Sequence, residues 1–251
     1  PRMMGTLHEV ARRGVPIVVF NPLKERALER FTDPQSVIEM ATYSSTNIAS
    51  SYYQVKAGGD AAALKGIMKT LIEWDNERGD ILDHDFIAEH TLGFEAVVED
   101  LKQTSWQDIE SESGLSQADI ESVALLYANS PATIITYGMG ITQHNKGTAN
   151  VRLIADLLLM KGNIGKPGAG ICPLRGHSNV QGNRTVGITE KPSVEFLQKI
   201  EQTFGFKPPY KHGHDAVNAM QAMVDGKAKA LICLGGNFPV ALPTLNSHLL
   251  Q

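Results

Sequence analysis

Three short, largely apolar runs place the strongest constraint on how this chain folds. They cover residues 15–20, 132–137 and 230–234, and each is followed at once by asparagine or glycine. Runs of this length are typical of strands that are buried on both faces of a parallel sheet. Because helical stretches separate them, the sequence predicts an α/β fold with parallel, doubly wound, dinucleotide-binding-like sheets flanked by helices.

The segments between these runs carry helical patterns. Residues 58–76, for example, repeat apolar side chains at helical spacing. Ser116 and Asp119 resemble the start of a capped helix. Helical stretches are predicted over residues 3–13, 58–76, 83–101 with a break at Gly93, 116–127, 147–161 ended by Gly162, and 215–224. Residues 31–54 show no clear pattern.

Composition and charge restrict the classes of protein to which this chain can belong. The chain has 251 residues, of which 42% are hydrophobic and 20% are charged, so it can bury a full core. We expect two interleaved subdomains, residues 1–130 and residues 131–251. The net charge of −4 argues against a general nucleic-acid or anionic-membrane surface. No run of about 18 apolar residues is present to cross a bilayer. We therefore expect no nucleic-acid partner and no membrane insertion.

The spacing of the cysteines and histidines does not indicate a metal site. Cys172 and Cys233 lack ligand-like spacing, and two cysteines of this kind encode no disulfide framework. We expect both thiols to be inert packing groups in a reducing, cytoplasmic compartment. His212 and His214 lack a third ligand and are expected in a solvated loop. Since the chain starts at Pro1 with a helix before its first strand, we expect it to be part of a longer polypeptide.

The turns that follow the three apolar runs are candidate binding sites, because ligands of open α/β sheets bind outside the carboxyl ends of the strands. These turns are residues 21–24, 138–143 and 235–237. Glycines at such turns let backbone N–H groups face a phosphate, which indicates a nucleotide ligand. However, Gln143 stands where a Rossmann fingerprint needs glycine, and no Walker lysine follows any turn. The Gly-Met-Gly sequence in the second turn is therefore either a phosphate-facing turn or an ordinary tight turn.

Residues 165–182 form the most unusual segment. Three glycines and two prolines among its first nine residues exclude a long helix and a regular central strand, so we expect an extended binding loop. This loop carries Arg175, His177, Asn179 and Gln181. The arginine is either an ordinary surface side chain or a group that binds an anion. We favour the second interpretation because amide and imidazole groups surround it.

Four segments taken in order resemble one family. They are residues 18–24, residues 55–62, residues 137–143 and residues 157–182. Together they resemble the central part of molybdopterin oxidoreductases, and most closely formate dehydrogenase alpha subunits and their less characterised relatives. The resemblance covers essentially the whole chain and implies the central-domain fold of the formate dehydrogenase and DMSO reductase type. Residues 162–182 are its most specific part.

The resemblance implies a cofactor and the residues that hold it. In that family a molybdenum or tungsten atom is held by two molybdopterin guanine dinucleotides, and the central region cradles one of them. By similarity, the turn and the loop that flank the guanosine carry Asn21, Pro22, Lys24, Gly58 and Asp60, with the Asp60 carboxylate accepting from guanine N–H groups. The expected pyrophosphate and pterin path carries Gly138, Gly140, Gln143, Gly176, His177, Asn179, Gln181 and Gly182, and Asn237 completes the expected cofactor-binding set.

The resemblance also implies a reaction. Arg175 would orient a carboxylate substrate beside the metal, so formate oxidation is the first expectation. A reductase of another oxyanion and a catalytically inactive homologue that serves assembly or regulation are the alternatives. Asn21 and Ala57 replace the usual aspartate and proline, and His177 replaces an amide, which leaves the substrate open. The metal-ligating residue and the cysteines of a [4Fe-4S] cluster precede the matching region in the family. We therefore expect this chain alone to be inactive, and its full-length protein to pass electrons to a partner subunit.

Overall fold

A computed structural model describes residues 2–143, 145–174, 176, 178–189 and 191–232. The chain forms two compact units, Pro1–Gly176 and His177–Gln251. The expected subdomains 1–130 and 131–251 stay a prediction.

The first unit alternates short strands with helices. Its elements are α1 (Arg2–Arg12), β1 (Val18–Phe20), α2 (Arg26–Glu29), β2 (Arg30–Phe31), α3 (Val37–Thr42), β3 (Thr46–Asn47), β4 (Ser51–Tyr53), α4 (Asp60–Arg78), α5 (His84–His90), α6 (Phe94–Gln103), α7 (Trp106–Ser113), α8 (Gln117–Asn129), β5 (Ile134–Tyr137), α9 (Met139–Thr142), α10 (Gly147–Leu159) and β6 (Gly170–Pro173). The described part of the second unit contains α11 (Ser178–Thr185), α12 (Val194–Phe204) and α13 (Ala216–Val224). The predicted α/β class is confirmed.

Two separate parallel strand pairs organise the first unit. β1 pairs with β4, so that Phe20 lies opposite Tyr53. β5 pairs with β6, so that Tyr137 lies opposite Pro173. β2 and β3 form a short antiparallel pair. The third predicted strand is not seen where it can be examined, because residues 230–232 adopt no regular structure and residues 233–234 lie outside the described part of the chain.

The strand β6 corrects the expectation that residues 165–182 run as an extended loop throughout, although in a two-stranded pair it is an edge strand and not the central strand that the prolines and glycines exclude. Gly170 N–H donates to the Thr133 carbonyl at 3.0 Å, and Leu174 N–H donates to the Tyr137 carbonyl at 2.7 Å. Because amides alternate in direction along a strand, the nitrogen of Pro173 points away from β5 and needs no partner there. Gly170 therefore donates to the ladder through its own N–H, and Pro173 occupies a position that does not donate to it.

The same segment departs from expectation in two other ways. Residues 178–185 form the helix α11 rather than an extended loop. This helix starts after the last proline of the segment, so nothing in residues 178–185 removes a backbone donor. Cys172 is exposed on β6 rather than packed, since the two-stranded pair leaves one of its faces open. Cys233 lies outside the described residues.

The hydrophobic core of the first unit surrounds α4. Met68 and Leu71 of this helix are fully buried and pack with Ile109 of α7 and Ile120 of α8. A Cβ atom at Gly66 would lie 3.0 Å from side-chain carbons of both isoleucines. A glycine at this position therefore lets α7 and α8 pack close against the middle of α4.

Both parallel pairs rest on this core. Phe20 of β1 and Tyr53 of β4 pack against it, and so does Ile135 of β5. The rings of Phe20 and Tyr53 also stack, with their centroids 5.5 Å apart. The core therefore fixes the two strand pairs from which the predicted binding turns emerge.

A buried polar network fixes the amino end of β5. The Tyr127 hydroxyl donates to the Leu157 carbonyl at 2.8 Å and accepts from the Asn163 amide at 3.0 Å. The Asn163 side-chain carbonyl accepts from Thr133 N–H at 3.3 Å. Burial raises the pKa of Tyr127 to about 12, although the hydrogen bond from Asn163 acts in the opposite direction. The network joins α8 and α10 to the residue that precedes β5.

Predicted helix boundaries are largely confirmed. Ser116 and Asp119 form a capping box at the start of α8. Gly93 separates α5 from α6 and adopts a left-handed conformation at the start of α6. The helices α7 and α12 were not predicted, although Ser105 and Ser193 cap their first turns.

Candidate functional site

The turn at residues 21–24 lies at the carboxyl end of the first parallel pair. Asn21 N–H donates to the Tyr53 carbonyl at 3.1 Å, which continues the ladder one residue beyond β1. Because β1 and β4 are parallel, this turn and the loop after β4 emerge from the same edge. Asn21 and Pro22 therefore leave the same edge as the loop that leads to Gly58 and Asp60. The shared ligand that the sequence predicts for these residues stays a prediction.

Side chains from the end of β4 hold this turn. The Tyr52 hydroxyl donates to the Leu23 carbonyl at 2.7 Å, and the Gln54 amide donates to the Pro22 carbonyl at 3.3 Å. Within the turn, the Asn21 amide donates to the Glu25 carboxylate at 3.2 Å. These contacts were missed at the sequence level, because residues 31–54 gave no readable pattern and β4 was not predicted.

Lys24 extends from the same turn toward solvent. Its ammonium lies 3.9 Å from the Glu29 carboxylate, and its side chain is 55% exposed. An ion pair this exposed contributes little to stability. Lys24 is therefore available to a ligand that carries negative charge.

The loop after β4 leads into the longest helix of the chain. Gly58 has φ +84°, a conformation that favours glycine, and a Cβ atom at Gly58 would meet nothing within 4 Å. A Cβ atom at Gly59 would lie 2.5 Å from the Glu112 carbonyl oxygen of α7, so this residue must be glycine for the loop to pass α7. Asp60 is the first residue of the 19-residue helix α4 and is partly buried.

A second group of predicted residues lies at the carboxyl end of the β5–β6 pair. Gly138 directly follows β5 and precedes α9, and Gly140 lies exposed within α9. A Cβ atom at either glycine would meet nothing within 4 Å. Gln143 is exposed at the end of α9, where its N–H donates to the Met139 carbonyl at 2.8 Å.

Gly176 joins this second group. A Cβ atom there would lie 3.1 Å from the Met139 sulfur, so the chain after β6 passes close to the turn after β5. The structure therefore brings together Gly138, Met139 and Gly176, as expected for the ends of two neighbouring parallel strands. Met139 was not among the predicted site residues.

An ion pair connects the two edges. The Lys146 ammonium lies 4.0 Å from the Glu112 carboxylate. Lys146 directly precedes α10, near the second edge, and the backbone of Glu112 touches Gly59 at the first edge. The end of α7 is thus a neighbour of both the Gly58–Gly59 loop and the start of α10.

The remaining predicted residues fall into two sets. Asn179, Gln181 and Gly182 are exposed on α11 in the second unit. Arg175, His177 and Asn237 lie outside the described residues, and their roles stay predictions.

Two cavities in the first unit are lined by residues outside these turns. One cavity of about 440 Å³ lies beside Pro131, which precedes β5, and is lined by Asp83, Lys161 and Lys166 among others. Burial lowers the pKa of Lys161 there, and the neighbouring Lys166 lowers it further. A second cavity, of about 530 Å³, lies against α1 around His8. Neither is lined by a predicted site residue, and we base the site on the strand-end turns rather than on cavity size.

No group of three or more histidine, cysteine, aspartate or glutamate residues in the described part of the chain is placed to hold a metal ion. No helix in that part combines the length and the apolar character needed to cross a membrane.

Comparisons with known proteins agree on a family. A family model described as "Molybdopterin oxidoreductase" matches residues 15–249. The chain is 56% identical over 248 residues to "Protein YdeP" of Escherichia coli (strain K12), which covers 97% of this chain and 33% of that protein. It is 30% identical over 230 residues to "Putative formate dehydrogenase SAR2393" of Staphylococcus aureus (strain MRSA252), covering 88% of this chain and 23% of that protein. The chain thus spans a third or less of the length of these relatives.

A solved structure shows the same fold. The chain is similar to acetylene hydratase from Pelobacter acetylenicus, with a TM-score of 0.53 and 18% sequence identity. The match covers 66% of this chain and 20% of that protein. At this identity the likeness concerns the fold alone.

Proposed function

This chain belongs to the molybdopterin oxidoreductase family, and on that premise we propose that it holds one molybdopterin guanine dinucleotide of an enzyme that oxidises formate. The observation that carries the proposal is the position of the predicted residues at the carboxyl ends of two parallel strand pairs that share one core. Dinucleotides bind at such edges of α/β sheets.

The residues at both edges fit such a cofactor. Backbone that a ligand approaches closely requires glycine, and the positions of Gly58, Gly138 and Gly140 leave open the space that a Cβ atom would occupy. When bound, the cofactor and its molybdenum or tungsten supply the two-electron chemistry, and the protein supplies orientation and electrostatics.

We assign the guanosine to the first edge. The Asp60 carboxylate accepts hydrogen bonds and suits the N–H donors of guanine. Lys24 provides an exposed positive charge on the turn that follows β1. Asn21 and Pro22 belong to a turn that hydrogen bonds already hold, so they form a fixed wall for the nucleoside.

We assign the pyrophosphate and the pterin to the second edge. Gly138 and Gly140 offer backbone N–H groups with open space where a side chain would be, Gly176 lies beside the Met139 side chain, and Gln143 adds an amide. In this proposal Asn179, Gln181, Gly182, His177 and Asn237 contribute further contacts.

Formate is the substrate we propose, and Arg175 is the residue that orients it. The guanidinium presents two parallel donors that match a carboxylate and stays protonated at all working pH values. The relative from Staphylococcus aureus, whose name describes a formate dehydrogenase, supports this choice.

Because the chain covers a third or less of its relatives, we assign the metal ligand, any [4Fe-4S] cluster and the contact with an electron-transfer subunit to the rest of the protein. A reducing, cytoplasmic compartment fits its cysteine usage.

Removal of the Asp60 carboxylate tests the assignment of the base. We expect the full-length Asp60→Ala protein to lose most of its bound guanine dinucleotide, because each unmet donor costs about 1–3 kcal/mol. Asp85→Ala is the control, since Asp85 lies in the first turn of α5 rather than at a predicted site. Guanine released by acid hydrolysis and molybdenum content are measured for each protein. Wild-type occupancy in Asp60→Ala would remove Asp60 from the site.

Substitution of Arg175 tests the substrate. We expect full-length Arg175→Ala to keep the metal and pterin while kcat/KM for formate falls roughly 10²-fold, because a charge-assisted contact of about 3 kcal/mol is lost. Arg175→Lys keeps the charge but loses the paired donors, so its loss is smaller. Loss of the cofactor would instead make Arg175 a pterin-binding residue. The 251-residue chain by itself is expected to show no formate-dependent dye reduction.

A further inference from the structure

The turn that carries Asn21, Pro22 and Lys24 is tied to β4 mainly by one hydroxyl group. We infer that Tyr52 is a positioning residue for the proposed dinucleotide: its hydroxyl holds this turn in the shape that receives the guanosine. The inference rests on the proposed function and adds a residue that touches the binding turn rather than the ligand.

The geometry at Tyr52 ties two points of the turn to one atom. The hydroxyl donates to the Leu23 carbonyl at 2.7 Å and accepts from Glu25 N–H at 3.1 Å. A phenolic hydroxyl has one O–H donor and can accept at the same time, so the bond to Leu23 uses its only donor and the bond from Glu25 uses its oxygen as acceptor. The two bonded residues flank Lys24. The position of the Lys24 backbone is therefore fixed from both sides.

The strand β4 explains why Tyr52 faces the turn and Tyr53 does not. Successive side chains of a strand point to opposite faces. Gln54, two residues from Tyr52, also reaches the turn and donates to the Pro22 carbonyl at 3.3 Å. Tyr53 instead stacks on Phe20 and shares a 2.7 Å hydrogen bond with Ser122 of α8. Two adjacent tyrosines therefore serve different purposes, one at the turn and one at the core.

The other contacts that hold the turn are weaker than the hydrogen bonds of Tyr52, or they involve only the first and last residues of the turn. The Lys24–Glu29 pair is 3.9 Å long and about half exposed. The Gln54 bond is longer than either bond of Tyr52. A turn without the Tyr52 hydroxyl would sample more conformations before binding, and ordering it would reduce the affinity for the ligand. Because the turn is exposed, the same change should affect global stability little.

Paired tyrosine-to-phenylalanine variants of the full-length protein test this inference. For each variant we would measure the guanine nucleotide released by acid per polypeptide, the rate at which bound dinucleotide is lost after dilution, and Tm. We expect Tyr52→Phe to lose dinucleotide about tenfold faster than wild type with Tm nearly unchanged, since two neutral hydrogen bonds are removed at an exposed turn. We expect Tyr53→Phe to leave the rate of loss unchanged, because the Tyr53 hydroxyl bonds to Ser122 of α8 rather than to the turn.

The outcomes distinguish the positioning role of Tyr52 from the proposed dinucleotide-binding function. If Tyr52→Phe loses dinucleotide at the wild-type rate, or if both variants change the rate and Tm together, the positioning role is wrong while the proposed function stands. If the wild-type protein releases no guanine nucleotide, the proposed function fails and the role of Tyr52 fails with it.

Discussion

The carboxyl ends of the two parallel strand pairs are built in different ways. At the first edge, side chains of Tyr52 and Gln54 fix the turn before any ligand arrives. At the second edge, Gly138 and Gly140 leave open backbone with nothing near the missing side chains. Recognition of a base needs polar groups in fixed positions, whereas a pyrophosphate and a pterin need close approach to the backbone. The difference indicates which part of a dinucleotide each edge suits.

Gly59→Ala should lower stability more than any other variant considered, because it places a side chain in the closely packed first edge. The new Cβ atom would lie 2.5 Å from the Glu112 carbonyl oxygen and 2.9 Å from Ser113 Cα, and backbone atoms cannot move aside cheaply. We expect a loss of about 3 kcal/mol, seen as a lower Tm of the full-length protein. A wild-type Tm in this variant would show that the first edge is looser than described.

Asn163→Ala should have the next largest effect. Asn163 is 1% exposed and links Tyr127 to Thr133 at the amino end of β5, opposite the second edge. Its removal leaves Thr133 N–H without its partner, so we expect a loss of about 2 kcal/mol. Asn129→Ala, at an exposed site on α8, is the control and should change stability by less than about 0.5 kcal/mol. Equal effects in the two variants would contradict a network that fixes the amino end of β5.

The pH dependence of stability should report on the same network. Tyrosine in an unfolded chain ionises near pH 10, and burial raises the pKa of Tyr127 to about 12. The folded state therefore keeps a proton that the unfolded state has lost, and stability falls as the pH rises through this window. Between pH 9 and 11 we expect wild type to lose on the order of 1 kcal/mol more than Tyr127→Phe. Parallel pH profiles of the two proteins would rule out the buried neutral phenol.

Gly140→Ala should have the smallest effect on stability, because its Cβ atom would meet nothing within 4 Å. If the open backbone receives the pyrophosphate or the pterin, the same variant should bind less dinucleotide at an unchanged Tm. Guanine content per polypeptide is the measurement. A lower Tm or a wild-type guanine content in Gly140→Ala would contradict the difference that we describe between the second edge and the first edge at Gly59.

Much of the fold could be predicted from local patterns. The apolar runs that become β1 and β5 lie beside clear helical periodicity, and the capping residues at Ser116 and Gly93 mark helix starts directly. These features depend on neighbouring residues in the chain. Sequence patterns of this kind report them well.

The elements that escaped prediction depend on partners far along the chain. β4 is only three residues long, and its pairing with β1 gives it a role that Ser51, Tyr52 and Tyr53 do not show by themselves. β6 tolerates Pro173 only because the proline nitrogen faces away from β5, which the sequence does not reveal. For the same reason Tyr52 could not be named as a site residue before the register of β4 was known.

The most direct test of the account is a structure of the full-length protein with its cofactor bound. We expect a guanine dinucleotide whose base contacts the Asp60 carboxylate and whose sugar lies beside the turn at residues 21–24. Its pyrophosphate or pterin should then lie within hydrogen-bonding distance of the backbone at Gly138 or Gly140. A dinucleotide bound away from both strand ends, or one whose pterin lies at Asp60 and whose base lies at Gly138, would contradict the account.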